Sequence, residues 1–532
     1  MAKANFFRGK SSVCFFALIG LFTAIFLASP LMAQIGIRKP VRTKSGAVSG
    51  VLNSDGKVSV FKGIPFAAPP VGPLRWKEPQ PASSWKGVLH ADHFGHSCMQ
   101  KPVHEFLPWT KEFMFVTDAS EDCLYLNIWT PAKTSTEKLP VYVYIYGGAF
   151  TSGSGDVAVY DGENLAKKGI VVVNMNYRVG VFGFLAHPEL TAESMHHSSG
   201  NYAFLDQMAA LQWVKENIAE FGGSPSRVTI GGQSAGAISV GLQVVSPLTK
   251  GLFRGAITES GTGVSGFPTP ALADTEKMGE DFAKSLGAKS IADLRAMPAE
   301  KLLDASTSRF PPNVDGWFLP DQVMKIYAMG GENDVPMIDG WNADENTGKP
   351  LSAEDFRKQS QDRYGSMAEE FLRLYPADTD DQAKTAQKQS ARDRAKVSAF
   401  LWAQARAKTA KTDAFLYFFT RAIPWPEHPE YGAFHSADMP YFFGNLNLLN
   451  RPYETVDHEI ANEMSSYLVN FVKTGDPNGE GLPGWAAFNA TSAKPIMELG
   501  ESPGPIATAP PAKAEFWLRY FASPEGKHAP FF

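Results

Sequence analysis

The feature that most constrains this chain is the pentapeptide Gly232-Gln233-Ser234-Ala235-Gly236, which follows the apolar run 227–230 and precedes an Ala/Ile/Val-rich segment. A strand that turns sharply into a helix presents a serine hydroxyl above a sheet, and only small neighbours fit around such a turn. Short motifs of small residues also recur by chance, so the pentapeptide alone is a weak predictor. It predicts a serine nucleophile if the rest of the chain supplies a base, an acid and oxyanion donors.

Short apolar runs alternate with longer segments of helical spacing along the chain, which predicts an α/β architecture with a large, mostly parallel sheet flanked by helices. The predicted strands are 141–146, 170–174, 228–230, 256–258 and 336–339. The predicted helices are 204–221, 353–375 and 459–473. Because no linker rich in Pro, Gly or Ser divides the chain, residues 34–532 are predicted to form a single catalytic domain.

The N-terminus has the layout of a secretory signal peptide over residues 1–33. Lys3, Arg8 and Lys10 precede the apolar run 13–28, and Ala33 follows Pro30. That run is shorter than the roughly 20 residues that a membrane span needs, so a cleaved leader is favoured over a retained anchor. The chain is therefore predicted to be exported, to the periplasm or the medium, without stable membrane association after cleavage.

The charge and the cysteine content limit the class of binding partner and the cellular compartment that we expect. The leader contains three of the 50 Lys and Arg residues and none of the 55 Asp and Glu residues, so the mature chain has about eight excess negative charges, which disfavours nucleic acid as a partner. Cys14 lies in the leader, which leaves Cys98 and Cys123. In an exported protein we expect this pair to form a disulfide, the alternative being two buried thiols.

A serine nucleophile needs a histidine base and a carboxylate, normally in the chain order Ser, acid, His. Among eleven histidines, His435 lies in a loop of small residues late in the chain. An acid is expected just after strand 336–339, where Asp344 and Glu345 are adjacent, and Asp438 is a further candidate. Spacing alone does not choose among these three carboxylates.

The oxyanion of a tetrahedral intermediate needs backbone N–H donors. The segment 146–150, Tyr-Gly-Gly-Ala-Phe, directly follows strand 141–146 and allows close approach of the backbone to a substrate carbonyl. An isolated Gly-Gly pair is usually a simple turn. Here the order of strand, Gly-Gly loop and downstream serine turn favours an oxyanion loop.

Several longer motifs resemble those of the type-B carboxylesterase/lipase family, which includes bacterial para-nitrobenzyl esterases, bile-salt lipases and cholinesterases. The resemblance covers nearly all of the mature chain. The matching segments are 61–67, 69–72 and 74–76 near the start, Glu-Asp-Cys-Leu-Tyr-Leu-Asn at 121–127, Asn-Tyr-Arg at 176–178, 200–201, 206–207, Phe-Gly-Gly at 221–223, and 232–236.

The resemblance implies an α/β-hydrolase fold with long loop insertions around a gorge, and it implies a role for individual residues. By matching to the family, Ser234 is the nucleophile, Glu345 the acid and His435 the base. The remaining implied roles are an oxyanion hole from the N–H groups of Gly148, Ala149 and Ala235, support of the acid by Ser260, and a buried Arg75–Glu121 ion pair. The resemblance also implies a Cys98–Cys123 disulfide that closes a loop at the gorge mouth. We expect Phe106, Trp109, Phe113 and Phe115 of this loop near the entrance, the alternative being simple aromatic packing. The substrate-pocket candidates are Phe150, Trp109, Phe310, which lies in a segment resembling the family's acyl-pocket region, and Trp341.

Three positions depart from the family pattern. Gln233 precedes the serine where the family usually has Glu, which puts a preference for cationic esters in doubt. Glu259 stands where Gln is frequent, and Asn346 replaces a glycine after the triad acid. Whether Glu259 replaces the missing charge of a glutamate at position 233 is left open by the sequence.

These patterns together predict a serine carboxylesterase that acts on a small-molecule ester without metal or cofactor. A closer alternative is the same chemistry on a bulky lipid, polyester or natural-product polyester. A remote alternative is a non-catalytic adhesion or binding protein of the same fold, which is disfavoured because all three triad residue types are present. The sequence does not define the oligomeric state or the acyl and alcohol preferences.

Overall fold

The computed structural model describes residues 36–37, 39–261, 269–307, 309–345 and 350–527. The predicted signal peptide lies outside these residues and stays a prediction. Asn346, which replaces the family's glycine, also lies outside them. Residues Ile35–Phe532 form one compact unit, and every described residue belongs to it.

Strands alternate with helices over most of the described chain, in keeping with the predicted pattern. The strands are β1 Val41–Arg42, β2 Ala47–Ser49, β3 Val51–Leu52, β4 Ser59–Pro65, β5 Val88–His90, β6 Ser97–Cys98, β7 Ala119–Ser120, β8 Tyr125–Thr130, β9 Leu139–Ile145, β10 Val171–Met175, β11 Gly223–Gln233, β12 Gly255–Glu259, β13 Met337–Asn342, β14 Ala414–Phe419, β15 Ile496–Leu499 and β16 Gly504–Ile506.

The α-helices of the described residues flank these strands or follow them in a separate layer. They are α1 Glu163–Lys167, α2 Gly180–Phe184, α3 Pro188–Glu193, α4 Tyr202–Asn217, α5 Ala235–Val245, α6 Leu272–Ser285, α7 Ile291–Ala296, α8 Ala299–Ala305, α9 Val323–Ala328, α10 Ala353–Tyr364, α11 Ala368–Leu374, α12 Asp380–Arg406, α13 Met439–Phe443, α14 Thr455–Thr474, α15 Pro511–Ala522 and α16 Pro524–Lys527.

Eleven of the described strands form one sheet in the order β16-β15-β14-β13-β12-β11-β9-β10-β8-β4-β3. The pairs from β15 through β14, β13, β12, β11 and β9 to β10 are parallel, and the pairs at the two edges are antiparallel. The predicted mostly parallel α/β architecture is therefore confirmed. In a parallel sheet the carboxyl ends of neighbouring strands lie along one edge, which brings the ends of β9, β11, β12 and β13 together.

The central strands are apolar because helices cover both faces of the sheet. Five of the seven residues of β9 are fully buried, from Val141 to Ile145, and every residue of β10 and β13 is buried. The helix α4, predicted at 204–221, crosses from β10 to β11 and is buried along most of its length. Its last predicted turn is a 3₁₀ segment, Ile218–Phe221.

A second hydrophobic cluster lies in the helices α10, α11, α12 and α15, apart from the core around the sheet. Its largest members include Tyr364, Phe371 and Trp517. The prediction of a single helix at 353–375 is wrong. Gly365 has φ of +50° and ends α10 after Tyr364, before α11 begins. The bend lets Tyr364 stack on Phe371, with ring centroids 4.1 Å apart.

Candidate active site

The serine turn has the geometry that its glycines predict. Ser234 lies between the end of β11 and the start of α5 with φ of 58° and ψ of −126°, a conformation that L residues rarely adopt. A Cβ at Gly236 would lie 2.0 Å from the carbonyl oxygen of Ile145, and one at Gly232 would lie 2.6 Å from the same oxygen. Both positions therefore exclude larger residues, and the Ser234 side chain lines the large cavity at this edge of the sheet.

Glu345 lies just beyond β13, as expected for the acid of such a site, and both of its oxygens have partners. Oε1 accepts hydrogen bonds from Ser260 Oγ at 2.6 Å and from the backbone N–H of Asn342 at 2.7 Å. Oε2 lies 2.5 Å from Nδ1 of His435. The side chains of His435 and Glu345 are only 13% and 9% exposed, so little water competes for this contact.

The two other acids that spacing left open have different partners. Asp344 accepts a hydrogen bond from Arg392 at 2.8 Å and from the backbone N–H of Ala433 at 3.1 Å. Asp438 accepts hydrogen bonds from Asn342 at 3.0 Å and from Tyr417 at 2.7 Å, and burial raises the pKa of Asp438 to about 6. Of the three candidate acids, Glu345 is the one in contact with His435.

Gln233 contacts the opposite edge of the same imidazole. Its Nε2 lies 3.1 Å from Nε2 of His435, and the residue is 3% exposed. The side chain at this position therefore faces the ring nitrogen that a base would use, not bulk solvent. Burial, and then the charge of Asp438, raise the pKa of Glu259 well above its usual range, so a negative charge on Glu259 is disfavoured.

The predicted oxyanion loop has an unusual backbone. Gly148, Ala149 and Phe150 have φ values of 111°, 54° and 62°, three successive residues in the left-handed region. A Cβ at Gly148 would lie 2.2 Å from the carbonyl oxygen of Ser152. The successive N–H groups of such a turn can form an anion-binding concavity, and Ala235 adds the first N–H of helix α5.

One cavity of about 910 Å³ contains these parts together. It is lined by Ser234, His435, Glu345, Gly148, Ala149 and Ala235, and by the predicted pocket residues Phe150, Trp109 and Phe310, with Phe106, Phe113 and Phe115. Trp341 does not line it. Trp341 lies within β13, pairs in register with Phe418 of β14 and is 1% exposed, so that pocket assignment is wrong.

A disulfide closes the loop that carries several of the aromatic side chains. Cys98 and Cys123 are bonded, with sulfur atoms 2.03 Å apart. Within the loop, Trp109 Nε1 donates a hydrogen bond to Ser436 Oγ at 3.3 Å, and its ring centroid lies 6.3 Å from that of His435. The loop is thereby held against the residue that follows the base. Outside the site, Arg75 and Glu121 form the expected ion pair at 2.6 Å.

Part of the cavity lining is polar and could not be predicted from the sequence. Helices α10 and α12 contribute Gln359, Arg363, Gln387 and Arg394, none of which was predicted as a site residue. The available signal was a helical stripe on each element, which is also the pattern of ordinary packing. The packing of α12 against β13 and β14, and of α10 against α12, brings these residues to the cavity that contains the serine turn.

Comparison with known proteins agrees with the geometry of the site. Residues 38–517 match the model of a protein family described as the carboxylesterase family. The chain is similar to a fumonisin B1 esterase of Sphingopyxis macrogoltabida, with 36% identity over 95% of this chain and 93% of that protein. It is similar to a para-nitrobenzyl esterase of Bacillus subtilis (33%, covering 86% and 94%) and a cocaine esterase of Homo sapiens (33%, covering 92% and 94%).

Proposed function

The chain belongs to the carboxylesterase family and is a carboxylic ester hydrolase of the α/β-hydrolase fold, and from that premise we propose that it acts through an acyl-enzyme on Ser234. His435 is the general base and Glu345 the acid of the triad. The observation that carries this assignment is the 2.5 Å contact between Glu345 Oε2 and His435 Nδ1 beside the strained serine turn.

In the first half-reaction the Ser234 hydroxyl attacks the ester carbonyl while Nε2 of His435 takes its proton. Glu345 accepts a hydrogen bond from Nδ1 of His435, so that Nε2 is the basic nitrogen, and it stabilises the imidazolium that forms. The N–H groups of Gly148, Ala149 and Ala235 hold the negative oxygen of the tetrahedral intermediate, and each such donor is typically worth about 3 kcal/mol. The intermediate then expels the alcohol, which leaves with the proton from His435.

In the second half-reaction a water molecule takes the place of the alcohol. His435 accepts a proton from the water as it attacks the acyl carbonyl, and the same donors stabilise the second oxyanion. Collapse breaks the bond to Ser234, returns the proton to its Oγ and releases the carboxylic acid. Ser260 and the N–H of Asn342 hold Glu345 throughout, because each donates a hydrogen bond to Oε1.

The substrate that this site favours is a discrete small-molecule ester. The relatives are named for esterase action on fumonisin B1, cocaine and a para-nitrobenzyl ester, which are separate molecules. A walled cavity of about 910 Å³ is within the range of small-molecule sites. The alternatives, a lipid interface or a polyester, predict a rate jump above substrate solubility, whereas the proposed esterase saturates below it.

Export of the protein is part of the proposal. The Cys98–Cys123 disulfide is typical of proteins from oxidising compartments, in agreement with a cleaved leader. Among the described residues no helix is long and apolar enough to cross a membrane. Fractionation of expressing cells and N-terminal sequencing of the mature chain test this point, and a protein that retains Met1 in the cytosol contradicts it.

The decisive experiment for the chemistry replaces Ser234 with alanine. With 4-nitrophenyl butyrate, kcat is expected to fall on the order of 10⁴-fold or more. An organophosphate should label the wild-type chain once, at Ser234. Ser152 also lines the cavity and provides a matched control, because Ser152→Ala should keep the labelling. Undiminished turnover by Ser234→Ala contradicts the assignment.

A further inference from the structure

The cavity beside the serine turn extends along two helices that the ester hydrolysis proposed above does not use. α10 and α12 each present five lining residues at the spacing i, i+3, i+4, i+7, i+8, which is one face of a helix. They are Phe356, Gln359, Ser360, Arg363 and Tyr364 on α10, and Gln387, Ser390, Ala391, Arg394 and Ala395 on α12. We call the part of the cavity between these two faces the arginine lobe.

The arginine lobe differs in charge from the protein around it. Among the described residues that line the cavity, the arginines are Arg309, Arg363 and Arg394, and the one carboxylate is Glu345, which holds His435. The whole chain has a net charge of −5. A concave wall that gathers positive charge in an acidic protein concentrates anions at that place.

Two of these arginines are close enough to affect each other. Arg394 is 5% exposed, and burial together with the positive charge of Arg363 lowers the pKa of Arg394 to about 10. Arg363 is exposed, and its guanidinium carbon lies 6.0 Å from the centroid of the Tyr364 ring. An anion held by both guanidinium groups would relieve their repulsion, and the planar fork of each matches a carboxylate.

Two further polar side chains of the lobe suit the same ligand. Gln359 and Gln387 carry amide donors, so a carboxylate can be hydrogen-bonded beyond its arginine contacts. The hydroxyls of Ser360 and Ser390 donate within their own helices, to the carbonyl oxygens of Phe356 and Gln387. Ala391 and Ala395 on α12 leave space between the donors. Aromatic walls from Tyr364, Phe371 and Trp517 can contact the carbon chain that joins the carboxylate to the ester.

We propose that the arginine lobe binds a free carboxylate of the substrate, so that the preferred substrates are esters that carry a second, ionised carboxyl group several atoms from the scissile bond. This inference rests on the proposed function, because it assigns the far end of a substrate whose ester reacts at Ser234. Arg363 and Arg394 are specificity-determining residues here, and they take no part in the bond changes.

The test uses matched pairs of esters that differ in one charge. For a carboxylate on the acyl side, mono-4-nitrophenyl adipate is compared with 4-nitrophenyl hexanoate. For a carboxylate on the alcohol side, 4-butyryloxybenzoate is compared with its methyl ester. In at least one pair, the wild-type kcat/KM for the anionic ester is expected to exceed that of its partner by about 10-fold or more, since a hydrogen bond to a charged group typically gives that factor.

Substitutions of Arg363 and Arg394 test whether the arginine lobe causes the preference for anionic esters. Arg363→Gln is expected to lower the ratio of anionic to neutral kcat/KM about 10-fold, mainly through a higher KM for the anionic ester. Arg394→Lys keeps the charge but loses the planar fork, so it should lower the ratio less than Arg394→Gln. Arg373→Gln is the matched control, because Arg373 is exposed on the neighbouring α11 and does not line the cavity, and it should leave the ratio unchanged.

The outcomes separate this inference from the proposed function. If wild-type protein hydrolyses the neutral esters through Ser234 but shows no preference for either anionic partner, the carboxylate site is wrong and the esterase mechanism stands. The same conclusion follows if Arg363→Gln and Arg394→Gln leave both ratios unchanged. If neither neutral nor anionic esters are hydrolysed, or if Ser234→Ala retains turnover, the proposed function itself is overturned.

Discussion

Gln233 Nε2 and His435 Nε2 lie 3.1 Å apart, so the imidazole is contacted on one nitrogen by the Glu345 carboxylate and on the other by a neutral amide. An amide has both a donor and an acceptor, so it can donate to a neutral Nε2 or accept from a protonated one. A glutamate at this position would instead bring a second carboxylate to the same ring. The neutral residue thus makes protonation of the base less favourable than a glutamate would.

The variant Gln233→Glu is therefore expected to lose activity at a higher pH than the wild type. A carboxylate within a few ångströms favours the imidazolium, and an imidazolium cannot take the proton of Ser234. The half-activity pH on the acid side of the kcat/KM profile should rise by about one unit or more, measured by pH-stat with a neutral ester. Gln80→Glu adds the same charge at an exposed position and should not move the profile. An unmoved profile for Gln233→Glu contradicts the prediction.

Glu345→Gln is expected to reduce kcat about 10³-fold or more with little change in stability. The amide can still accept from Ser260, but it cannot stabilise an imidazolium and it allows the wrong tautomer at His435. Asp344→Asn, one residue earlier, loses ionic contacts with Arg392 and Lys388 and should lower the melting temperature without a comparable fall in kcat. Equal losses of kcat in the two variants would show that the acid is misassigned.

The local parts of the site could be predicted because they depend on short stretches of chain. Ser234 and the loop around Gly148 are each defined by a strand end and by glycines for which no larger residue has room. Glu345 could not be distinguished from Asp344 by spacing, because their side chains point to different partners once β13 has ended. The family resemblance supplied that choice, and the contact with His435 agrees with it.

What the sequence could not define depends on packing between distant segments. Trp341 follows a strand pattern next to the acid, yet it is buried within β13 and does not line the cavity. Arg363 and Arg394 lie far from any catalytic motif, and they reach the cavity because α10 and α12 pack together in the second hydrophobic cluster. The kind of sheet, mostly parallel, was predictable from the sequence, but the order of the strands within it was not.

Removal of the disulfide should destabilise the protein more than it slows chemistry. Cys98 and Cys123 are 25 residues apart, and the loss of a link over such a loop is expected to lower the free energy of unfolding by about 3 kcal/mol. The double variant Cys98→Ser/Cys123→Ser tests this by denaturant titration, with reduced wild-type protein as the matched state. A midpoint equal to that of the oxidised wild type would contradict the prediction.

The buried acid Asp339 of β13 should make the protein less stable as the pH rises. Burial raises the pKa of Asp339 to about 8, although a hydrogen bond donated by Thr258 Oγ1 at 2.7 Å opposes the shift. The folded state therefore retains a proton that the unfolded state releases near pH 4, so this group's contribution is fully present below about pH 4 and is lost as the pH rises to about 8.

Asp339→Asn removes the titration while its carbonyl oxygen can still accept from Thr258. The gain in free energy of unfolding relative to the wild type should grow between about pH 5 and pH 8, by on the order of 3 kcal/mol. Urea titrations at both pH values measure this difference, with the exposed Asp362→Asn as the control. A gain that is constant or shrinks with pH would mean that Asp339 is ionised in the folded protein.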